Sequence, residues 1–201
     1  DGVRLHINTQ YKHTGSIVTS SGSCVPAARA NASSTMNAWS KLAHKIFGSP
    51  KIKTALKMSL AQSLLFSRLF FATETWTCVS DGALKCLEVM HTRVVRRIAG
   101  LWNGKKFDAR DPDTPHTTDE SVRRSLGAPS VQCCVQQGRL RYVARLIRHA
   151  PTTLRALLCN SSTGKQSKWS ALVIEDMSAM QSLLKPKLDE LPDPREDARP
   201  W

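Results

Sequence analysis

Across 201 residues this sequence holds little that would mark an enzyme. There is no Gly-x-Ser-x-Gly turn and no glycine-rich loop ahead of a helix, the arrangements that expose a nucleophile or cradle a phosphate. Gly2, Gly15 and Gly22 are scattered among turns. Two-metal phosphoryl transfer needs carboxylates converging on ions about 4 Å apart. The close acidic pairs here are Asp111/Asp113, Asp119/Glu120, Glu175/Asp176 and Asp189/Glu190. They fall in a Pro-rich loop, a helix cap, a polar helix face and the tail, and read as ordinary solvated carboxylates. No catalytic residue is expected, and the chain alone is read as a non-enzyme. Cysteines at Cys-x2–4-Cys spacing are missing too, since Cys78, Cys86 and His91 are widely separated and Cys133 and Cys134 adjacent. Buried cysteine acting as a small hydrophobe is the simpler reading, so neither metal nor cofactor is expected.

Long hydrophobic runs are also lacking. The most apolar stretch, Met58–Thr73, contains Gln62, Ser63, Ser67 and Arg68, and falls short of the roughly 20 apolar residues a membrane span needs. Asp1-Gly2-Val3-Arg4 is no signal peptide, having no basic segment followed by an apolar block. The first residue is not Met, and the expectation is a fragment or a processed product. Six cysteines without a secretory signal read as reduced thiols in an intracellular protein.

What is present is positive charge. Lys and Arg number 29 against 16 Asp and Glu, a net charge of +13, in a chain that is 41% hydrophobic and therefore globular. Residues 1–170 carry 25 basic and 9 acidic side chains; residues 171–201 carry 4 and 7. Such a balance favours a polyanionic partner, nucleic acid ahead of an anionic membrane. Pro186, Pro192, Pro194 and Pro200 punctuate the acidic end, and 185–201 reads as a disordered or extended tail.

The fold class expected is mostly α, with a short N-terminal β-hairpin, a helical bundle and an acidic Pro-rich C-terminal tail. Val3, Leu5 and Ile7 alternate with polar residues, Asn8-Thr9-Gln10 offers a turn, and Tyr11–Thr19 resumes extended. A helix over 26–47 places Ala32, Met36, Trp39, Ala43 and Ile46 on one face. Ser49 and Pro50 are suited to start the next, running to Thr77 and forming the most buried element. Ser80 caps a third helix closed by Gly100, with Leu84, Leu87, Met90 or His91, Val94 and Ile98 as its stripe. After a loop over 101–116, Thr117 and Glu120 form a capping box. A long helix then runs from Pro129 to His149, and a last one carries Trp169, Leu172, Val173, Met177 and Met180 on one face.

The basic residues carry the functional signal. Arg141, Arg145 and Arg148 fall at i, i+4 and i+7 along one helix face, opposite Tyr142, Val143, Leu146 and Ile147. Arg139 falls within the apolar arc, so it either pairs with a buried acid or marks a groove. Arg93, Arg96 and Arg97 form a second cluster, Arg123 and Arg124 a third, and Lys51, Lys53 and Lys57 gather on the first turns of the second helix. Each group alone suits a solvated face; together, with few acids among them, they suit contact with backbone phosphates.

Tyr11-Lys12-His13-Thr14-Gly15, after the alternating Val3–Ile7 segment, resembles the Tyr-Lys-x-Leu-Gly hairpin of retroelement reverse transcriptases, with Thr14 where the family has Leu. Downstream of the hairpin, the order of segments is similar to the C-terminal part of non-LTR retrotransposon (LINE-type) polymerases. These segments are Lys51–Thr77 with Leu64-Leu65 and Glu74-Thr75-Trp76, then His91-Thr92-Arg93-Val94-Val95-Arg96-Arg97, Thr118-Asp119-Glu120, Pro129-Ser130 and Arg139-Leu140-Arg141-Tyr142. The resemblance covers about residues 3–158. It implies a primer-grip hairpin at 1–22, a thumb-like helical bundle at 23–100, a post-thumb helical segment at 101–184 and the tail at 185–201. The fingers and the palm Asp-Asp centre would precede Asp1, and the family's zinc knuckle and nuclease motifs are not in this sequence.

By resemblance Tyr11, Lys12, His13 and Gly15 fall on the grip. Lys53, Lys57, Arg96, Arg97, Arg141, Arg145 and Arg148 are added from charge and helical phase alone. The expected partners are an RNA–DNA or DNA duplex and the missing fingers and palm of the parent polymerase, with no membrane, in an intracellular, nuclear setting. The alternative is a domesticated or degenerate helical protein-interaction module whose helix stripes complete a partner's bundle.

Overall fold

The structure, a computed structural model, describes residues 9–101, 118–153 and 167–184. The expected strand Val3–Ile7, nearly all of the 101–116 loop and the tail at 185–201 lie outside them. In chain order the described elements are β1 (Gln10–His13), β2 (Ser16–Thr19), α1 (Val25–Leu42), α2 (Thr54–Ala61), α3 (Ser67–Leu69), α4 (Asp81–Ile98), α5 (Asp119–Ser125), α6 (Val131–His149) and α7 (Lys168–Leu184). The chain is thus mostly helical, with a two-stranded antiparallel hairpin ahead of the helices.

The hairpin does not turn where the sequence suggested. Asn8-Thr9-Gln10 is not its loop; Thr14 and Gly15 are, at φ +44° and +94°. Two successive positive φ values make the tight turn whose twist matches the strands it joins. Gln10 therefore pairs with Thr19, Tyr11 with Val18, Lys12 with Ile17 and His13 with Ser16.

Helix α1 starts with Pro26 in its first turn and runs into a π-helical turn at Ala43–Phe47, where the Gly48 N–H reaches back five residues to the Ala43 carbonyl. Its buried face is Ala27, Ala28, Asn31, Thr35 and Trp39 rather than the expected stripe, and Ala32, Met36 and Ile46 are only half-buried. Two polar residues can enter the core because their hydrogen bonds are met inside it. The Thr35 hydroxyl donates to the Asn31 carbonyl at 2.8 Å.

Helix α2 begins at Thr54, not Pro50, because Ser49 turns locally: its hydroxyl accepts from the Lys51 N–H at 3.3 Å. A π-helical turn at Gln62–Phe66 joins α2 to α3, and the helix stops at Leu69, short of Thr77. It is not uniformly buried. Lys57, Ala61, Leu65, Phe66 and Leu69 face inward, while Leu56 and Leu64 are exposed.

Helix α4 matches the reading closely. The Ser80 hydroxyl accepts from the Ala83 N–H, and Gly100 at φ +79° ends the helix. Its buried side chains are Ala83, Leu87, Met90, His91, Val94, Val95 and Ile98. For α5 the cap is Thr118, whose hydroxyl accepts from the Ser121 N–H at 3.2 Å, one residue beyond the expected Thr117. Glu120 pairs instead with Arg124 at 2.7 Å.

The residues divide into two compact units. One comprises 1–71 and 80–132; the other comprises 72–79 and 133–201. In the first, Val25 lies beside Gly82 and Met36 beside Arg93, the same eleven-residue step along both chains. Helices α1 and α4 therefore run side by side in one direction. Trp39 stacks on Phe47 at 5.5 Å, and Phe66 on His91 at 4.8 Å. Phe47, Leu65, Leu69 and Leu87 are fully buried, each contributing about 1.5–3 kcal/mol of transfer free energy.

In the second unit α6 and α7 are joined by a buried ion pair, Arg139 Nη1 to Asp176 Oδ2 at 2.5 Å, with Gln136 also bonded to the carboxyl. Burial pushes the Asp176 carboxyl above its ordinary value, against the pull of the arginine. The Trp169 indole donates to the Glu74 carbonyl at 2.9 Å and stands edge-on to Tyr142. Among the described residues no helix is long and apolar enough to cross a membrane.

Removing one partner from a buried pair strands the other charge, at about 3–5 kcal/mol. Arg139→Ala should therefore lower the unfolding free energy by that amount in urea melts. Arg139→Met with Asp176→Leu should recover most of the loss; an additive double variant would refute the pairing.

His91 offers a second check. Fully buried, with neither ring nitrogen hydrogen-bonded, it has its pKa pushed down to about 4 by burial and then by the Arg123 charge. A depressed folded-state pKa contributes stability that is complete above about 6.5 and is lost as pH falls through 4. Between pH 7.5 and pH 4 the loss from this group is about 3 kcal/mol. Urea melts of His91→Leu at both values should show the acid-side loss reduced by that amount.

Candidate nucleic-acid interface

Strand alternation sorts the hairpin into two faces. Lys12 and Ile17 share one, and Tyr11, His13 and Val18 share the other. Tyr11 is 56% exposed, with its ring edge-on to His13 at 6.3 Å. The residues that sequence reasoning grouped as one grip therefore present two surfaces, a cationic one and an aromatic one.

The turn rests on the end of α3. A Cβ at Gly15 would come within 3.2 Å of the Phe71 ring, and its φ of +94° already selects glycine. Phe71 is held in turn by Asn31 of α1, whose side-chain N–H groups donate to the carbonyls of Leu69 at 3.2 Å and Phe71 at 2.8 Å. These bonds occupy carbonyls that the end of a helix leaves without partners.

A cleft of about 380 Å³ opens among the hairpin, α1 and α3. Lys12 enters from the hairpin, Ser34 from α1, and Ser67 and Arg68 from α3, with Asn31 and Phe71 also in the wall. Among the described residues no carboxylate lies within 4 Å of Lys12 or Arg68. Residues 2–73 contain nine Lys and Arg and not one Asp or Glu. Arg68 was missed in the sequence because it sits in the most apolar stretch; the signal that could have found it is that acid-free run.

The other expected contacts fare unevenly. Lys53 is exposed at the start of α2. Lys57 is a correction: at 7% exposure it lies on the buried face with Ala61 and Leu65, its stem packed inside. Arg96 is paired, its Nε donating to Asp119 Oδ1 at 2.6 Å and so tying α4 to α5. Arg97 is half-buried, with its guanidinium over Gly48 where any Cβ would collide. Arg123 faces Glu88 at 3.7 Å. These arginines hold helices together, and the structure does not bring them to the hairpin cleft. In the second unit Arg141, Arg145 and Arg148 are all exposed on α6, while Val143 and Ala144 are buried behind them.

Among the described residues no three His, Cys, Asp or Glu side chains come together to hold a metal ion. Cys24 is buried, as a small hydrophobe would be, whereas Cys78 and Cys133 are exposed. Burial pushes the Cys134 thiol up to about 11, with the neighbouring Cys133 adding to the shift. That leaves it protonated and a poor nucleophile at neutral pH.

Thr14 carries a measurable strain. A β-branched residue at φ +44° is unfavourable, and Asn tolerates that region. Thr14→Asn should raise the thermal midpoint, equivalent to about 0.5–1 kcal/mol, with no change in far-UV circular dichroism. A lowered midpoint would mean the turn is not formed this way in solution.

No family model matches the chain, and neither the curated proteins nor the solved structures contain a match to it.

Proposed function

We propose that this chain binds a nucleic-acid backbone, as a fragment of a retroelement reverse transcriptase gripping an RNA–DNA or DNA duplex through phosphates. The observation that carries the reading is the hairpin cleft, where Lys12 and Arg68 converge without a carboxylate within a 72-residue run that has no acid. Phosphate oxygens would find two cations and the hydroxyls of Ser34 and Ser67 there, and bases could stack on the exposed Tyr11 and His13 face. Arg141, Arg145 and Arg148 supply a separate exposed cationic stripe on α6. The proposed setting is the nucleus, beside the fingers and palm of a parent polymerase. The chain by itself is proposed to extend no primer, because its carboxylates are spent on caps and ion pairs such as Asp119 with Arg96 and Asp176 with Arg139.

Binding of a fluorescent RNA–DNA hybrid, followed by anisotropy from 50 to 300 mM salt, tests this. Each phosphate neutralised adds a little under one unit to the log–log slope. A slope of about −3 or steeper is expected, and Lys12→Ala with Arg68→Ala should flatten it by about 2. Weak binding with a flat slope would overturn the reading. Primer extension by the isolated chain with nucleotides and Mg²⁺ would overturn its second half.

A further inference from the structure

A second surface in the same unit has a different chemistry from the cleft. The exposed side of α2 carries Leu56, at 55% exposure, then half-buried Leu60, then Leu64 at 39%. These stand at i, i+4 and i+8, so they form one stripe roughly two turns long. Apolar side chains exposed singly need no explanation, but a continuous row on one helix does.

The polar neighbours of the row are already satisfied. The Ser63 hydroxyl donates to the Ser59 carbonyl at 3.1 Å, and the Ser67 hydroxyl to the Ser63 carbonyl at 2.6 Å. Covering this face would strand neither donor, which removes the usual penalty for burying hydroxyls. Cations stand at both ends: Lys53 lies three residues before Leu56, and Arg68 four residues after Leu64, both exposed and neither within 4 Å of a carboxylate among the described residues.

We propose that this stripe is a docking site for an acidic amphipathic helix of a partner protein, with apolar anchors opposite the leucines and carboxylates opposite Lys53 and Arg68. Charge complementarity selects that occupant. A second copy of the chain would bring two acid-free surfaces together, each with nine cations in residues 2–73. A nucleic-acid backbone would gain nothing from a dry leucine row. A helix laid along a helix reads the i, i+4, i+8 spacing directly, and like-charge contact at the ends rejects basic helices. The surface is independent of the nucleic-acid reading and stands if that reading fails.

The probes are two synthetic 16-residue helical peptides with the same leucine anchors, one flanked by Glu and one by Lys. Binding of each to the full chain is followed by anisotropy. The Glu-flanked peptide should bind saturably at micromolar concentration, and the Lys-flanked one at least tenfold more weakly. Leu56→Ser with Leu64→Ser should weaken the Glu-flanked peptide at least tenfold while leaving the thermal midpoint and hybrid binding unchanged, since both residues are exposed. Lys53→Glu should shift preference toward the Lys-flanked peptide without touching the apolar row. Equal binding of both peptides, or binding of neither, overturns the proposal. So does self-association in sedimentation that the Leu56→Ser, Leu64→Ser chain loses, which would make the occupant a second copy. Displacement of the peptide by RNA–DNA hybrid, with hybrid binding lost in the same variant, also overturns it.

Discussion

Two hydrogen bonds from one amide side chain fix the geometry on which the candidate interface depends. Asn31 reaches from the middle of α1 to the carbonyls of Leu69 and Phe71, holding the end of α3 against it. Because Phe71 is held there, the hairpin turn has something to rest on, and only glycine lets the backbone come that close. Because the turn rests there, Lys12 faces Arg68 across a cleft instead of standing alone on a strand too short to be stable by itself. A buried amide with nothing to bond would be a liability of about 1–3 kcal/mol; here the same group satisfies helix-end carbonyls that would otherwise lack partners.

Charge in this molecule is sorted rather than spread. From Lys12 to Arg68 the basic residues of the first unit meet no acid of their own stretch. The carboxylates come later in the chain and are matched to particular arginines: Asp119 to Arg96, Glu88 to Arg123, Glu120 to Arg124 and Asp176 to Arg139. The net charge of +13 therefore hides two populations. Paired arginines are structural and contribute little field at a distance, whereas Lys12, Lys53 and Arg68 are available to an incoming anion. Exposed pairs such as Arg124 with Glu120 contribute well under 1 kcal/mol each, so among these the buried Arg139–Asp176 pair is the one whose disruption the fold would register.

Local chemistry was legible in the sequence, and long-range chemistry was not. Ser80 and Gly100 bound α4 as read, because a cap acts within three residues of itself. The mostly helical class and the hairpin followed from periodicity. Thr14-Gly15 escaped as the turn because a β-branched residue is disfavoured at positive φ, and the polar Asn8-Thr9-Gln10 competed with it. Lys57 was misplaced because the sequence put the helix start at Pro50 and gave no sign of the π-helical turn, so the inward face could not be phased. Asn31 and His91 lie on inward faces for reasons set by residues tens of positions away, the Leu69 and Phe71 carbonyls in one case and the Phe66 and Phe70 rings in the other. The two options open for Arg139 were resolved by Asp176, which no spacing rule links to it.

The wide turn at Gln62–Phe66 has a consequence for how this chain can change over time. Its Ser67 N–H bonds back five residues to Gln62, so the helix already accommodates one residue more than a regular spiral would. That slack lets Leu65 and Phe66 both point inward while Leu64 points out. Loss of a single residue within the turn would restore a regular helix, and everything after it would rotate by about 100°. Arg68 would swing away from Lys12, and the Leu69 carbonyl away from Asn31. Substitutions along this helix can accumulate one at a time, but its length is under a stricter constraint than its composition.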